Sequence, residues 1–384
     1  MTIFSIAFPP IFWVITLFLT CSSTMLPGQL FHRQEALKAT PGCTVESNNN
    51  DTPLIQRLIQ SYQLSDLEQS LGDSMWQYIF DHKHVHIHEI FKKGVLNEVA
   101  DILRHPADTD LFYGIDGLSY STQEQFHQFD QQKAHAELCL DGLVRFAEAI
   151  GAIFLDNPEA THLPIFVYDV ETVLEKIEQH LNLNLSFPNP YPKEHGLLCS
   201  KGVISYRVPQ ALYQAWKIKQ LVKNIKNPRI LEIGAGLGRT AYYARLMGIQ
   251  DYTIVDLPLT AISSGYFLGT TLGADQILLK GESQTDAKNR IKIINMSDFI
   301  DGHEIYDLVL NVDSMTEMDP QIAKKYWKKI ERCTNKLLSI NHEINPFRIS
   351  DLINSNNSSI DSTRSPYWMR AGYVEEVIHF SSNK

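Results

Sequence analysis

The sequence has no CxxC pair, and its five cysteines, Cys21, Cys43, Cys139, Cys199 and Cys333, are scattered without metal-ligand spacing. That excludes a cysteine-built zinc or redox centre and fits reduced thiols in a reducing compartment. A surplus of positive charge is also missing: 34 Lys and Arg face 44 Asp and Glu, a net charge of −10. Nucleic-acid binding relies on such a surplus to neutralise phosphates, so no nucleic-acid partner is expected. The first 31 residues carry no charge at all and include the apolar run "IFSIAFPPIFWVITLFLT". A basic n-region is absent there and Pro9-Pro10 would break a helix, which leaves three readings: a start at Met25, a membrane-associating segment through residues 3–20, or a cleaved signal. No internal repeat is visible.

What is present is an ordinary globular composition, 44% hydrophobic and 20% charged over 384 residues. That is enough for two domains, or for one large domain with an appendage. The polar stretch "PGCTVESNNNDT" at 41–52 reads as a linker. From 53 to about 180, "PLIQRLIQSYQLSDLEQSL", "GVLNEVADILRHP" and "HAELCLDGLVRFAEAIGAIFL" repeat apolar residues at intervals of three and four, the period of helices. "FPNPYPKEHGLLCSKGVISYRVPQ" reads as loop, and "ALYQAWKIKQLVKNI" as a helix after it. From 229 onward short aliphatic runs alternate with helical ones, the pattern of a parallel sheet covered on both faces. "DLINSNNSSIDSTR" at 351–364 reads as a mobile loop, and "YWMRAGYVEEVIHF" as the last strand or hairpin. Three parts are expected: a hydrophobic segment and linker at 1–52, a helical cover at 53–186, and a ligand-binding α/β domain at 187–384.

Inside the third part, "ILEIGAGLGRT" at 230–240 places Gly234, Gly236 and Gly238 at alternate positions where a strand ends. Ligands of open α/β sheets bind at that end, and glycine lets the backbone press against them. Dinucleotide sites favour G-x-G-x-x-G, with the pyrophosphate on the helix N-terminus. This run is G-x-G-x-G, preceded by the acid Glu232, which suits a cationic ligand without phosphate: S-adenosylmethionine. Asp256, twenty residues past Gly236 and followed by Leu257, ends the second strand, where a carboxylate can accept hydrogen bonds from both ribose hydroxyls. NAD enzymes use the same device, so an NAD-dependent oxidoreductase is the rival enzyme. The rival of another class is a methyltransferase-like domain that binds without turnover. Glu232, Gly234, Ala235, Gly236, Gly238, Asp256 and Leu257 are the expected donor contacts.

With those residues placed, the chain resembles the class I S-adenosylmethionine-dependent methyltransferases, and more narrowly the sugar O-methyltransferase family. The narrower likeness rests on "NPYPKEHGLLCSKGVISYRVPQALYQAWKI", "YDLVLNVDSMTEMD", "SINHEINPF" and "YWMRAGYVEEVI", within residues 187–380. A weaker one, "FKKGVLNEVADILRHPADTDLFYGID", lies in the helical part. The resemblance implies a Rossmann-like, mostly parallel seven-stranded sheet with an antiparallel last strand, S-adenosylmethionine as methyl donor, and a hydroxyl acceptor on a carbohydrate. A cytosolic donor places such an enzyme in the cytoplasm or on the cytoplasmic face of a membrane.

A sugar hydroxyl is a poor nucleophile, so a general base is expected near the open ends of the fourth and fifth strands. His342 in "SINHE" is the first candidate, since imidazole titrates near neutral pH. Asp313 and Glu317 after the fourth strand could orient or deprotonate the acceptor. With His342 or Glu343 they could also hold a divalent cation, although the spacing does not predict a metal site. Asn311 is expected against the donor's methionine part, and Asn295, Met296 or Asp298 near its adenine. Tyr206, Arg207 and Tyr213 are expected to close over the donor carboxylate or the acceptor. His82, His84, His86 and His88 alternate in "DHKHVHIHEI"; they would align on a strand and scatter on a helix, and a solvated segment is the expectation over a zinc site.

Overall fold

The computed structural model describes residues 39–43, 50–65, 71–117, 129–155, 169–283, 289–345, 347–354 and 360–381. The apolar run at 3–20 lies outside them. Among the described residues no helix is long and apolar enough to cross a membrane.

A short strand, β1 (Pro41–Cys43), comes first. Helices α1 (Thr52–Gln63), α2 (Met75–Ile79), α3 (Val85–Lys93), α4 (Leu96–Arg104), α5 (Phe129–Ala149) and α6 (Val170–Leu181) follow. Their apolar stripes explain them: in α1, Leu54, Ile55, Leu58 and Ile59 are all buried. Asp169 caps α6 by accepting the backbone N–H of Thr172. The alternating histidines fall on a π-helical turn, Phe80–His84, that runs into α3. They therefore scatter, with His84 on the carbonyl of Asp110 and His88 on Tyr62.

Two expectations fail in this half. The segment read as loop contains a hairpin, β2 (His195–Cys199) and β3 (Gly202–Ile204), turned through Ser200–Lys201. It pairs with β1 in a three-stranded antiparallel sheet, so part of the expected linker is a strand. Short strands dense in proline and glycine carry too little periodicity to be told from loop. Asp51, also in the expected linker, is buried and accepts hydrogen bonds from Arg104 (2.6 Å) and Tyr266 (2.5 Å).

Helix α7 (Arg207–Leu221) leads to the main sheet. Its elements are β4 (Arg229–Ile233), α8 (Arg239–Leu246), β5 (Asp251–Val255), α9 (Pro258–Thr271), β6 (Ile277–Leu278), β7 (Ile291–Ile294), α10 (Met296–Asp301), β8 (Leu308–Val312), α11 (Pro320–Cys333), β9 (Lys336–His342), α12 (Ile349–Asn354), β10 (Ile360–Pro366) and β11 (Tyr373–Phe380). The strand order is β10-β11-β9-β8-β4-β5-β7-β6. Strands β4 to β9 pair in parallel, and β11, the last strand, runs antiparallel between β9 and β10. The sheet has eight strands and not seven, because the two-residue β6 extends one edge. The expected loop at 351–364 is in part the end of α12 and the start of β10.

Alternate residues along the strands feed two apolar clusters. Ile230, Ile254, Leu308, Leu310 and Leu338 join the cluster that also holds α1, α5, α7 and α9. Leu231, Ile233, Val255, Val309 and Leu337 join the other, with Phe299, Tyr326 and Trp327 of α10 and α11. The N-terminal helices thus share one core with the sheet. A Cβ on Gly265 or Gly269 of α9 would stand 2.7 or 2.8 Å from Leu58 or Leu54 of α1, so α1 lies directly on α9.

Candidate active site

Strand β4 ends at Ile233, and the chain then turns on Gly234, Gly236 and Gly238, whose φ angles are +76°, +59° and +79°. A side chain at Gly234 would collide with Ser314, whereas at Gly236 the nearest atom is Ile115 Cγ2, 3.9 Å away. Gly236 thus offers its backbone to a cleft, roofed by a residue of the N-terminal half. Gly238 stands a step back, capping α8 and touching Leu268.

The cleft is walled by Glu232, Gly234, Ala235, Gly236, Asp256 and Leu257, with Tyr326 of α11 beside them. Asp256 accepts the backbone N–H of Gly236 (3.1 Å) and its own neighbour's, Leu257 (2.8 Å). Burial pushes its carboxyl up to about 7 in spite of those bonds. Glu232 accepts the hydroxyl of Tyr252 (2.8 Å), and burial pushes it up to about 8, with Asp256 adding repulsion. Among the described residues neither acid has an ion-pair partner.

Arg239, the first residue of α8, is buried and spans Asp116 and Glu194, the latter at 2.7 Å. Burial pushes Glu194 up to about 7 while Arg239 pulls the other way. These pairs fasten the 111–117 turn and the approach to β2 onto the glycine loop.

Asp313, Glu317, Arg207 and Trp76 also line the cleft. Asp313 sits at φ +51°, a left-handed conformation that Asp tolerates better than most side chains. Its Oδ2 accepts the Tyr373 hydroxyl (2.8 Å) and Arg370 Nη1 (3.3 Å), and the Arg370 guanidinium lies 4.1 Å from the Tyr373 ring centre. Glu317 closes the short turn Met315–Glu317 and accepts the Trp76 indole N–H (3.2 Å). Burial first, then the nearby Asp313, raises its carboxyl well above the usual range.

Three expected site residues are placed otherwise. His342 does not line the cleft: its Nδ1 accepts the Ile344 N–H (3.1 Å), its ring meets Tyr373 edge to face, and its Nε2 lies against Gly372. Burial lowers its pKa. Asn311 is fully buried behind the site, donating to Ile233 O (3.1 Å) and Ser314 Oγ (2.5 Å) and accepting from Asn341 (2.9 Å). It braces β4, β8 and β9 and does not reach the cleft. Met296 packs in the second apolar cluster, while Asn295 and Asp298 form a reciprocal cap on α10, with Asp298 also bound to Lys280 (2.8 Å). Of the other expectations, Arg207 reaches the cleft, Tyr213 turns away to Glu375 (2.8 Å), and Tyr206 lies 5.9 Å under Arg370. Among the described residues no group of three or more His, Cys, Asp or Glu is placed to hold a metal ion.

The sequence reading missed Trp76, Asp116, Arg239, Ser314 and Tyr326. Arg239 directly follows the glycine run, and Asp116 and Ser314 lie in the stretches that carry the resemblance, but Trp76 and Tyr326 had no local signal.

No family model matches the chain, and no curated protein does. Among solved structures it is similar to the magnesium protoporphyrin IX methyltransferase of Synechocystis PCC 6803 with bound S-adenosylmethionine, at 12% identity over 46% of this chain and 84% of that one, TM-score 0.32. It is also similar to a mitomycin 7-O-methyltransferase, at 14% identity over 46% and 56%, TM-score 0.32. A third is the ribosomal protein L11 methylase of Lactobacillus delbrueckii subsp. bulgaricus, at 12% identity over 45% and 80%, TM-score 0.32. The fold class stands on the chain's own strand order: a Rossmann-like, mostly parallel sheet with a reversed last strand, as in class I methyltransferases, carrying a helical N-terminal region.

Proposed function

We propose that the chain is an S-adenosylmethionine-dependent O-methyltransferase acting on a hydroxyl of a sugar or glycosylated small molecule. The observation that carries the donor is the pair Glu232 and Asp256, two acids that have no basic partner among the described residues, beside a loop of positive-φ glycines. Burying carboxylates is costly unless something compensates them, and a cationic ligand does so where a pyrophosphate would be repelled. That same feature disfavours NAD. Gly236, Asp256 and Glu232 would hold the donor, which supplies a methyl group activated by its sulfonium. Asp256 accepts the Gly236 N–H on Oδ2 and the Leu257 N–H on Oδ1, and the remaining lone pairs of the carboxylate would accept the ribose hydroxyls.

On the acceptor side Glu317 takes the place that the sequence reading gave to His342. Burial and Asp313 raise its proton affinity, so its carboxylate form is a stronger base than an ordinary glutamate, and it lines the cleft. It accepts the hydroxyl proton as the acceptor oxygen forms its bond to the methyl carbon and the methyl–sulfur bond breaks, with S-adenosylhomocysteine as the leaving group. Asp313, held by Tyr373 and Arg370, fixes that side. The carbohydrate follows the sequence resemblance, and the N-terminal helices serve as cover. A cytosolic donor puts the enzyme in the cytoplasm, with membrane association through residues 3–20 as part of the reading.

Calorimetry with S-adenosylhomocysteine, with NAD as the control ligand, tests the donor; transfer of labelled methyl groups to a panel of methyl glycosides tests the acceptor. Binding of NAD without S-adenosylhomocysteine would overturn the reading. Donor binding with no transfer to any glycoside would leave a methyltransferase of another acceptor class or a binding domain.

A further inference from the structure

We propose that Trp76, carried by the N-terminal helical region, is a positioning residue that holds the Glu317 carboxylate in the cleft through its indole N–H. This rests on the reading of Glu317 as the base and adds what that base depends on.

The geometry is specific. Trp76 lies in α2, 241 residues before Glu317, and its Nε1 is 3.2 Å from Glu317 Oε2. Both side chains line the cleft, so the bond spans the N-terminal region and the turn after β8. The indole itself is held on its far side. Gly114, at φ +82°, lies so close that a Cβ there would come 3.3 Å from Trp76 Cη2, 3.4 Å from Trp76 Cζ3 and 3.0 Å from Ile79 Cδ1. An indole N–H can only donate, so it favours the carboxylate over the protonated acid and fixes which oxygen it takes. The other oxygen remains for an acceptor hydroxyl.

The remaining groups that act on Glu317 do not duplicate this role. Asp313 opposes its ionisation, while Arg207 of α7 and Arg370 favour it from a distance. Arg370 is committed to Asp313, and neither arginine makes a salt bridge to Glu317 among the described residues. Trp76 is thus the group that both orients Glu317 and lowers its proton affinity by contact. A base supplied by the sheet would be set by a residue of the cover, and chemistry would depend on the cover being in place.

The test needs no acceptor. In the full chain labelled with carbon-13 at glutamate Cδ, the Glu317 resonance is identified by its loss in Glu317→Gln, and its titration is followed in the wild type and in Trp76→Phe. Phenylalanine keeps an aromatic ring and removes the N–H. The midpoint should rise by about one pH unit in Trp76→Phe, as expected for a lost hydrogen bond to a charged group. In the wild type the Trp76 indole N–H resonance should shift through the same midpoint, and that shift should vanish in Glu317→Gln. An unchanged Glu317 midpoint in a folded Trp76→Phe protein, or an indole resonance that ignores pH, overturns the proposal. Calorimetry of the same samples with S-adenosylhomocysteine reports separately on the donor site, so a failed donor reading and a failed Trp76 assignment give different results.

Discussion

The backbone N–H of Gly236 donates to Oδ2 of Asp256 across 3.1 Å, tying the glycine loop to the end of the neighbouring strand. The carboxylate thereby shapes the loop as well as facing the cleft. Asp256→Ala should weaken S-adenosylhomocysteine binding by about ten- to a hundredfold, the scale of one or two lost hydrogen bonds to a charged group. Asp256→Asn keeps an acceptor for Gly236 and should lose less. Calorimetry on both variants checks the order; equal loss would mean that the loop contact is irrelevant to binding.

Glu232 and Asp256 also give stability an unusual pH dependence. Folding raises their pKa values to about 8 and about 7, from ordinary values of 4.5 and 3.8. The folded chain therefore binds protons that the unfolded chain releases, and stability falls with rising pH across that window. The contribution is fully present below about pH 4 and is lost as pH rises through 7 and 8. In thermal melts of the unliganded protein, Glu232→Gln should flatten the decline between pH 5 and 8, with its largest gain at pH 8. Saturating S-adenosylmethionine should stabilise most at the alkaline end, where both acids are ionised. A wild-type profile rising over that range would contradict the buried-acid account.

The two glycines of the loop separate conformational strain from collision. Gly234→Ala must adopt φ +76° and also meet Ser314, whereas Gly236→Ala adopts φ +59° with open space ahead of it. A left-handed alanine costs about 1–2 kcal/mol by itself. Gly236→Ala should lose about that much in urea unfolding, and Gly234→Ala clearly more. Similar losses would show that Ser314 yields freely.

How much of this was legible beforehand follows the range of the interactions. The glycine run, Asp256 and the strand and helix alternation after 229 are local patterns, and the sheet has the reversed last strand that the resemblance implied. Arg239 with Asp116 and Trp76 with Glu317 join residues 123 and 241 positions apart, and no periodicity carries that information. Asn311 misled for a different reason. A polar residue at a strand end reads the same whether it faces a ligand or an internal partner, and here Asn341, Ser314 and the Ile233 carbonyl satisfy it.

His342, at another strand end, is just as ambiguous in sequence, and setting it against the proposed base Glu317 gives the most direct test of the acceptor side. The imidazole is engaged on Nδ1 by the Ile344 N–H, its Nε2 lies beside Gly372, and the ring is not among the groups lining the cleft. His342→Gln should therefore leave methyl transfer within about threefold of wild type on whichever methyl glycoside accepts. Glu317→Gln removes the proton acceptor and should lower kcat by about 10²–10⁴, the range for a positioned general base, while donor affinity stays unchanged. Because burial and Asp313 raise the Glu317 carboxyl, wild-type kcat should climb with pH past the ordinary carboxylate range, as the base form accumulates. A large loss in His342→Gln beside a mild one in Glu317→Gln would return the base to the histidine.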